Sequence, residues 1–207
     1  MAQPKKPRKA KPAPAATQDI RQPRQIALLA APARQELIDT LESLGGEASV
    51  AALAAHLGRP ADSLYYHLRL LVRGGLLEEL PDDGEGRRYR THATDGARLR
   101  LQYATGASAK AAAVGRVAAS MLRIAGRDFT AALADPDTVT AGELRELWAS
   151  RSKGWVGPKE LAEINALLAR LLEVLHRPRR DDSDRLVALT WTLSPLVAKP
   201  KRRPPAA

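Results

Sequence analysis

Residues 49–75 read SVAALAAHLGRPADSLYYHLRLLVRGG, and this stretch decides the fold. Ser49 carries a side chain that accepts a hydrogen bond from the first free N–H groups of a helix. Val50, Leu53, Ala54 and Leu57 follow at i, i+3, i+4 and i+7, which is one apolar face over two turns. Gly58 stops that helix. A second begins near Ala61, placing Leu64, Leu68 and Leu71 on one side, and closes at Gly74-Gly75. Two short helices joined by a Gly-containing turn form a helix-turn-helix pattern.

The flanks extend it. Upstream, Ile26, Leu28 and Leu29 form a short apolar turn. Pro32 then suits the first turn of a helix that buries Leu37, Ile38, Leu41 and Leu44 and ends at Gly45-Gly46. Downstream, residues 76–80 read as a strand, 81–86 as a turn and 87–91 as the returning strand. Gly84 and Gly86 stand at the tip, where a hairpin needs positive φ. Helix, turn, helix and hairpin in that order define a winged helix.

Three stretches carry a family resemblance. Residues 29–38 (LAAPARQELI) resemble the opening signature of ArsR-type winged-helix regulators, residues 63–71 (SLYYHLRLL) resemble their recognition helix, and Gly75-Leu76-Leu77 resembles the entry to their wing. The likeness covers residues 26–92, under half of the chain. It implies binding to double-stranded DNA as a homodimer. Metal-sensing members bind through thiolates, and this chain has no Cys, so the resemblance names no inducer.

With Leu64, Leu68 and Leu71 inward, the opposite face of the second helix carries Asp62, Ser63, Tyr65, Tyr66, Arg69 and Arg73. The N-terminal part of a recognition helix enters the major groove. Ser63 and Tyr65 are therefore expected at base edges, and Tyr66 and Arg69 at phosphates or bases. Arg73 completes that face. Arg69 could read a guanine through two hydrogen bonds. Arg87, Arg88 and Arg90 on the wing's return strand are expected at phosphates. For Tyr65 and Tyr66 the alternative is packing against the wing. His56 and His67 read as structural residues.

Charge divides the chain unevenly. The net charge is +10, of which residues 1–24 hold +6 and residues 198–207 hold +4, so residues 25–197 are neutral. The excess lies in two Pro/Ala/Lys tails too poor in apolar residues to fold. Such tails suit a polyanion: six phosphate contacts give a log–log salt slope of roughly −5. The winged-helix region, 25–93, is itself −3, and its wing tip is acidic, which argues against deep minor-groove insertion. Non-specific affinity is then expected from the tails and sequence preference from the recognition helix.

The second half reads as a dimerisation and sensing unit. Arg98 to Tyr103 alternates like a strand. Ser108 can cap a long helix to about Ala134, with Val114, Val117, Ala118, Met121, Leu122, Ala125, Phe129 and Ala132 on one side; that side serves a dimer or packs within the subunit. A short helix is expected over 141–148, a strand over 151–156, a helix opened by Gly157-Pro158-Lys159-Glu160 and ended by Pro178, and a strand over 186–193. The Gly154-Trp155-Val156-Gly157-Pro158 turn and the final strand resemble the extended C-terminal domains of some ArsR-like regulators. Trp148, Trp155 and Trp191 either fill the core of this unit or line a pocket for a small-molecule effector.

Several classes are excluded. With 44% hydrophobic residues a folded core is expected, but the longest apolar run, Ile26 to Ala33, is broken by Pro32 and spans no membrane. The N-terminus lacks the apolar stretch of a secretory signal, so the expected location is cytoplasmic. No two His stand at i, i+4, and neither G-x-S-x-G nor G-K-[ST] occurs. No catalytic residue, metal or cofactor is expected. The fold class is α+β, mainly α with a small β component: a winged helix-turn-helix followed by a helical and β dimerisation domain. Its expected division is a basic tail over 1–24, the DNA-binding domain over 25–93, the C-terminal domain over 94–197 and a second basic tail over 198–207. The function expected is transcription regulation as a homodimer on a pseudo-palindromic operator. The competing reading is a nucleoid- or RNA-associated protein that binds through its tails and uses the winged helix for protein contacts.

Overall fold

The computed structural model of the protein describes residues 17–81, 84, 86–92, 98–177, 179 and 184–196. Its elements run β1 (Thr17–Ile20), α1 (Pro23–Leu28), α2 (Pro32–Ser43), β2 (Glu47–Ser49), α3 (Val50–Leu57), α4 (Ala61–Arg73), β3 (Leu77–Glu79), β4 (Arg88–Thr91), β5 (Arg98–Leu101), α5 (Ala109–Ala134) and α6 (Pro158–Leu175). Among the described residues no helix is long and apolar enough to cross a membrane.

Local chemistry sets the helix boundaries. The Ala52 N–H donates to Ser49 Oγ at 3.1 Å, so Ser49 caps α3, and Gly58 ends it at φ +60°. Ser108 caps α5 in the same way, accepting from the Ala111 N–H at 3.1 Å. At α6, Pro158 occupies the first turn and Glu160 accepts the Gly157 N–H at 3.0 Å.

The core is one cluster beneath the winged helix. It joins Ile26 and Leu29, the α2 residues Leu37, Ile38 and Leu41, Leu53 of α3, the three inward leucines of α4, and Leu76, Leu77 and Tyr89 of the wing. The wing is antiparallel, with Leu77 opposite Thr91 and Glu79 opposite Tyr89; β2 adds on the far side of β4, giving the order β2-β4-β3. Period two along β4 turns Tyr89 and Thr91 inward and leaves Arg88 and Arg90 on the outer face.

Several of these expectations need correction. Residues 17–24 were assigned to the basic tail, yet Thr17–Ile20 pairs in parallel with Arg98–Leu101, burying Ile20. The partner strand is so distant in sequence that no local pattern announces the pairing. The division at 93/94 is not a break in packing, because Ala113 and Val117 of α5 belong to the winged-helix core. The first half of α5 thus packs within the subunit, while Leu122 and Leu133 stay exposed. Residues 141–148 form no helix: Gly142 takes φ +80° and the Glu146 N–H donates to the Val139 carbonyl at 2.8 Å, closing a loop instead. Residues 151–156 and 186–193 join no ladder. The second tail, 198–207, lies outside the described residues, as do residues 1–16.

A buried carboxylate ties these parts together. Glu36 of α2 accepts Arg59 Nη2, in the turn between α3 and α4, at 2.7 Å, and it also accepts Arg127 from α5. Burial pushes its carboxyl up, but the two guanidinium groups outweigh burial and hold it below the ordinary value of 4.5. Its stabilising contribution is therefore present above that value and lost as pH falls through the lower, folded one. Replacing Glu36 with Ala should cost about 1–3 kcal/mol at neutral pH, read as a shift in urea midpoint. The cost should shrink in acid, where the native carboxylate is itself protonated; an equal cost at all pH would mean the ion pairs contribute nothing.

Candidate nucleic-acid interface

Helix α4 is oriented by what it buries. Leu64, Leu68 and Leu71 are 0–1% exposed, so the remaining sides of the helix must face outward. Ser63, Tyr66, Arg69 and Arg73 are all exposed, and Tyr66 stands 61% in solvent with its ring edge-on to His67. Ser63 Oγ donates to the Pro60 carbonyl at 2.7 Å, which fixes it at the helix entrance. Tyr65 differs. It is half-buried against the core, and the Arg87 guanidinium lies 5.8 Å from its ring centroid. The packing alternative holds in part for Tyr65 and fails for Tyr66.

A shallow concavity of about 360 Å³ lies between helix and wing, lined by Asp62, Tyr65, Arg69 and Arg87. Three residues expected at the interface therefore meet at one place. Asp62 was not among the expected contacts, although its spacing to Tyr65 and Arg69 (i+3 and i+7) already put it on their face. A carboxylate there can accept from a cytosine amino group. Arg69 Nε donates to the Tyr65 carbonyl at 3.2 Å and has no ion-pair partner among the described residues.

The wing arginines are placed differently. Arg87 pairs with Glu79 at 3.5 Å, Arg88 with Glu47 at 2.7 Å and Arg90 with Glu78 at 3.0 Å, so each faces a carboxylate of a neighbouring strand or its end. Such exposed cross-strand pairs contribute only about 0.2–1 kcal/mol each and exchange readily for a stronger anion. The positive face of the module is thus set by Arg69 and Arg73, with the wing arginines held in neutral pairs.

The histidines read as structural. His56 is exposed and its Nδ1 lies 3.0 Å from the Ala52 carbonyl one turn back. His67 is half-buried, and burial, with Arg34 and Arg59 nearby, pushes its pKa below the ordinary value, favouring the neutral ring. Its Nδ1 is buried with no hydrogen-bond partner among the described residues. No cluster of three or more His, Asp or Glu suited to a metal occurs among those residues either.

The tryptophans do not fill a core. Trp148 and Trp191 are 68% and 43% exposed and Trp155 is fully exposed. A separate cleft of about 580 Å³ lies between the end of α2, His56, the end of α6 and residues 184–187, with Leu44, Val174, Leu175 and Val187 as its apolar wall and Arg98, Arg177 and Arg185 among its cations.

Residues 29–79 match the family model of a helix-turn-helix domain, which spans α2 to β3 with the turn before α2. No curated protein matches the chain. The protein carries a helix-turn-helix domain, and the match covers α4 in full.

Neutralising the wing carboxylates tests whether the wing meets a phosphate backbone. Glu78→Gln with Glu79→Gln should steepen the log–log salt dependence of duplex binding by about 1 for each arginine that engages a phosphate. An unchanged slope in fluorescence titrations at several salt concentrations would show that the wing stands clear of the duplex.

Proposed function

We propose that the protein is a sequence-specific DNA-binding transcription regulator of the ArsR-like winged-helix type, acting as a homodimer on a pseudo-palindromic operator. The observation that carries this reading is the outward polar face of α4, backed by three sealed leucines. Asp62, Ser63 and Tyr65 lie in the first two turns, the part of a recognition helix that reaches base edges, and Arg69 opens the third turn on the same face. Tyr66 and Arg73 flank them and serve the phosphates. Arg87, Arg88 and Arg90 contribute once they leave their glutamates. Two such helices would enter major grooves one helical turn, or a multiple of it, apart.

The rest of the chain is assigned accordingly. The terminal segments, which hold the whole excess of +10, supply the salt-dependent term. Residues 94–197 supply dimerisation, with β1 and the first half of α5 shared with the winged helix. An effector, if the regulator takes one, fits the cleft beside α2 better than the tryptophans, as an apolar molecule carrying an anionic group. A cytoplasmic location follows from this role.

The paired wing arginines and the −3 charge of residues 25–93 favour one competing reading. In it the tails bind nucleic acid without sequence preference and the winged helix contacts protein. Arg69→Ala combined with Tyr65→Ala separates the two. Against an operator selected from a random duplex library, the pair should abolish preference over unrelated duplex and leave salt-dependent background binding in place. A loss of about 1–3 kcal/mol of discrimination is expected from Arg69 alone if it reads a guanine. If the double variant behaves as wild type and only removal of residues 1–16 weakens binding, the competing reading stands.

A further inference from the structure

The outward face of α4 is divided by its hydrogen-bonding chemistry. Its first turn offers acceptors. Asp62 is exposed and its carboxylate has no hydrogen-bond or ion-pair partner among the described residues. Ser63 beside it has committed its one hydroxyl proton to the Pro60 carbonyl, so only lone pairs remain to it. The later turns offer donors. Arg69 and Arg73 carry guanidinium groups, which only donate, and neither has a carboxylate partner among the described residues. The bond from Arg69 Nε to the Tyr65 carbonyl draws that guanidinium back along the helix toward Asp62 and leaves its two terminal nitrogens open. Asp62 and Arg69 thus line one concavity without pairing with each other.

We infer that Asp62 and Arg69 select two C·G base pairs in each operator half-site, Asp62 accepting from a cytosine N4 amino group and Arg69 donating to a guanine a few steps away. This deepens the DNA-binding reading above and rests on it. The major-groove edges of the four bases decide the match. Cytosine presents a donor alone, guanine two acceptors, adenine one of each, and thymine an acceptor beside a methyl group. A carboxylate has no proton to give. At guanine and thymine it meets acceptors, and at adenine the N7 lone pair lies beside the amino group. Cytosine is the one base whose edge answers it without conflict. Ser63, reduced to an acceptor, supplies no donor that would let this end of the helix take adenine instead. The open nitrogens of Arg69 suit the paired acceptors O6 and N7 of guanine. Spacing follows from the helix. Seven residues raise the chain by about 10.5 Å, and the retreat of the Arg69 guanidinium shortens that span to about two or three base-pair steps. An unpaired acid also repels the phosphate backbone, so what Asp62 adds is discrimination and not attraction.

The full chain and its variants each select bound duplexes from a random library, and the enriched sites are sequenced. Circular dichroism checks that every variant keeps the native helical signal, as substitutions at exposed positions should. For the native chain we expect a cytosine and a guanine at a constant separation in each half-site. Asp62→Asn sets a donor beside the acceptor, the arrangement that suits adenine N6 and N7, so the cytosine position should turn to adenine while the guanine stays. Asp62→Ala should remove a discrimination of roughly 5- to 150-fold at that position, and Asp62→Glu should keep cytosine. Arg69→Ala should relax the guanine position and leave the cytosine in place. Asp62 also stands in the first turn of α4, where a carboxylate steadies a helix N-terminus. Loss of that role alone weakens binding to every duplex alike and moves no base preference. An enriched site that Asp62→Asn and Asp62→Ala both leave unchanged overturns the inference and lets the DNA-binding reading stand. A native site with no cytosine at a fixed distance from the guanine does the same. If the native chain enriches no sequence at all, the inference and the regulatory reading fall together.

Discussion

Three leucines on one side of a 13-residue helix govern what the rest of the molecule can do. Leu64, Leu68 and Leu71 are sealed beneath α2, α3 and the wing, and full burial of such a side chain contributes on the order of 1.5–3 kcal/mol. That anchoring removes rotational freedom from α4. Its polar residues are consequently held as one rigid face, with Arg69 and Tyr65 fixed relative to Asp62. Specific reading of a duplex edge needs this rigidity, because a bidentate contact tolerates little misalignment.

Electrostatics are divided between fixed and exchangeable charges. Glu36 is committed, since two arginines from distant parts of the chain converge on it below the surface. The wing glutamates hold their arginines only loosely at the surface. A module whose own net charge is negative can thus still present cations to a phosphate backbone, at the modest cost of breaking exposed pairs. In the proposed reading the strongly basic ends of the sequence make up the difference in attraction, a contribution that carries no sequence preference of its own.

Much of the winged helix was legible in the sequence because its signals are local. The Ser49 cap, the Gly58 stop, the leucine spacing of α4 and the glycines of the wing tip each act within a few residues of the feature they specify. The capped starts of α5 and α6 were legible for the same reason. Tyr89 as a core residue was equally readable from the alternation of Arg-Tyr-Arg-Thr, though only with the wing's inner face already known. The β1–β5 pairing was not legible, since a polar four-residue strand gains its partner through the fold alone. Residues 151–156 and 186–193 have strand patterns that a single chain leaves unpaired, a case where periodicity describes a side chain's preference and not its neighbour. On α4 the pattern identified the face but not its inner division, where Tyr65 leans on the core beneath Arg87 and Tyr66 projects freely.

The rooting of α5 has a metrical consequence. Its early turns are embedded beside α1, its later course is clasped through Arg127 to the same carboxylate that steadies the helix-turn-helix elbow, and its far end leads to the C-terminal region. A 26-residue rod of this kind is about 39 Å long. Tilting it by about 5° displaces its tip by roughly 3.4 Å, the rise of a single base pair. In the proposed homodimer the Arg127–Glu36 contact would work like the locking screw of a caliper: loosening its Arg127 arm would change the gauge between the two reading heads while Arg59 still holds Glu36 within each.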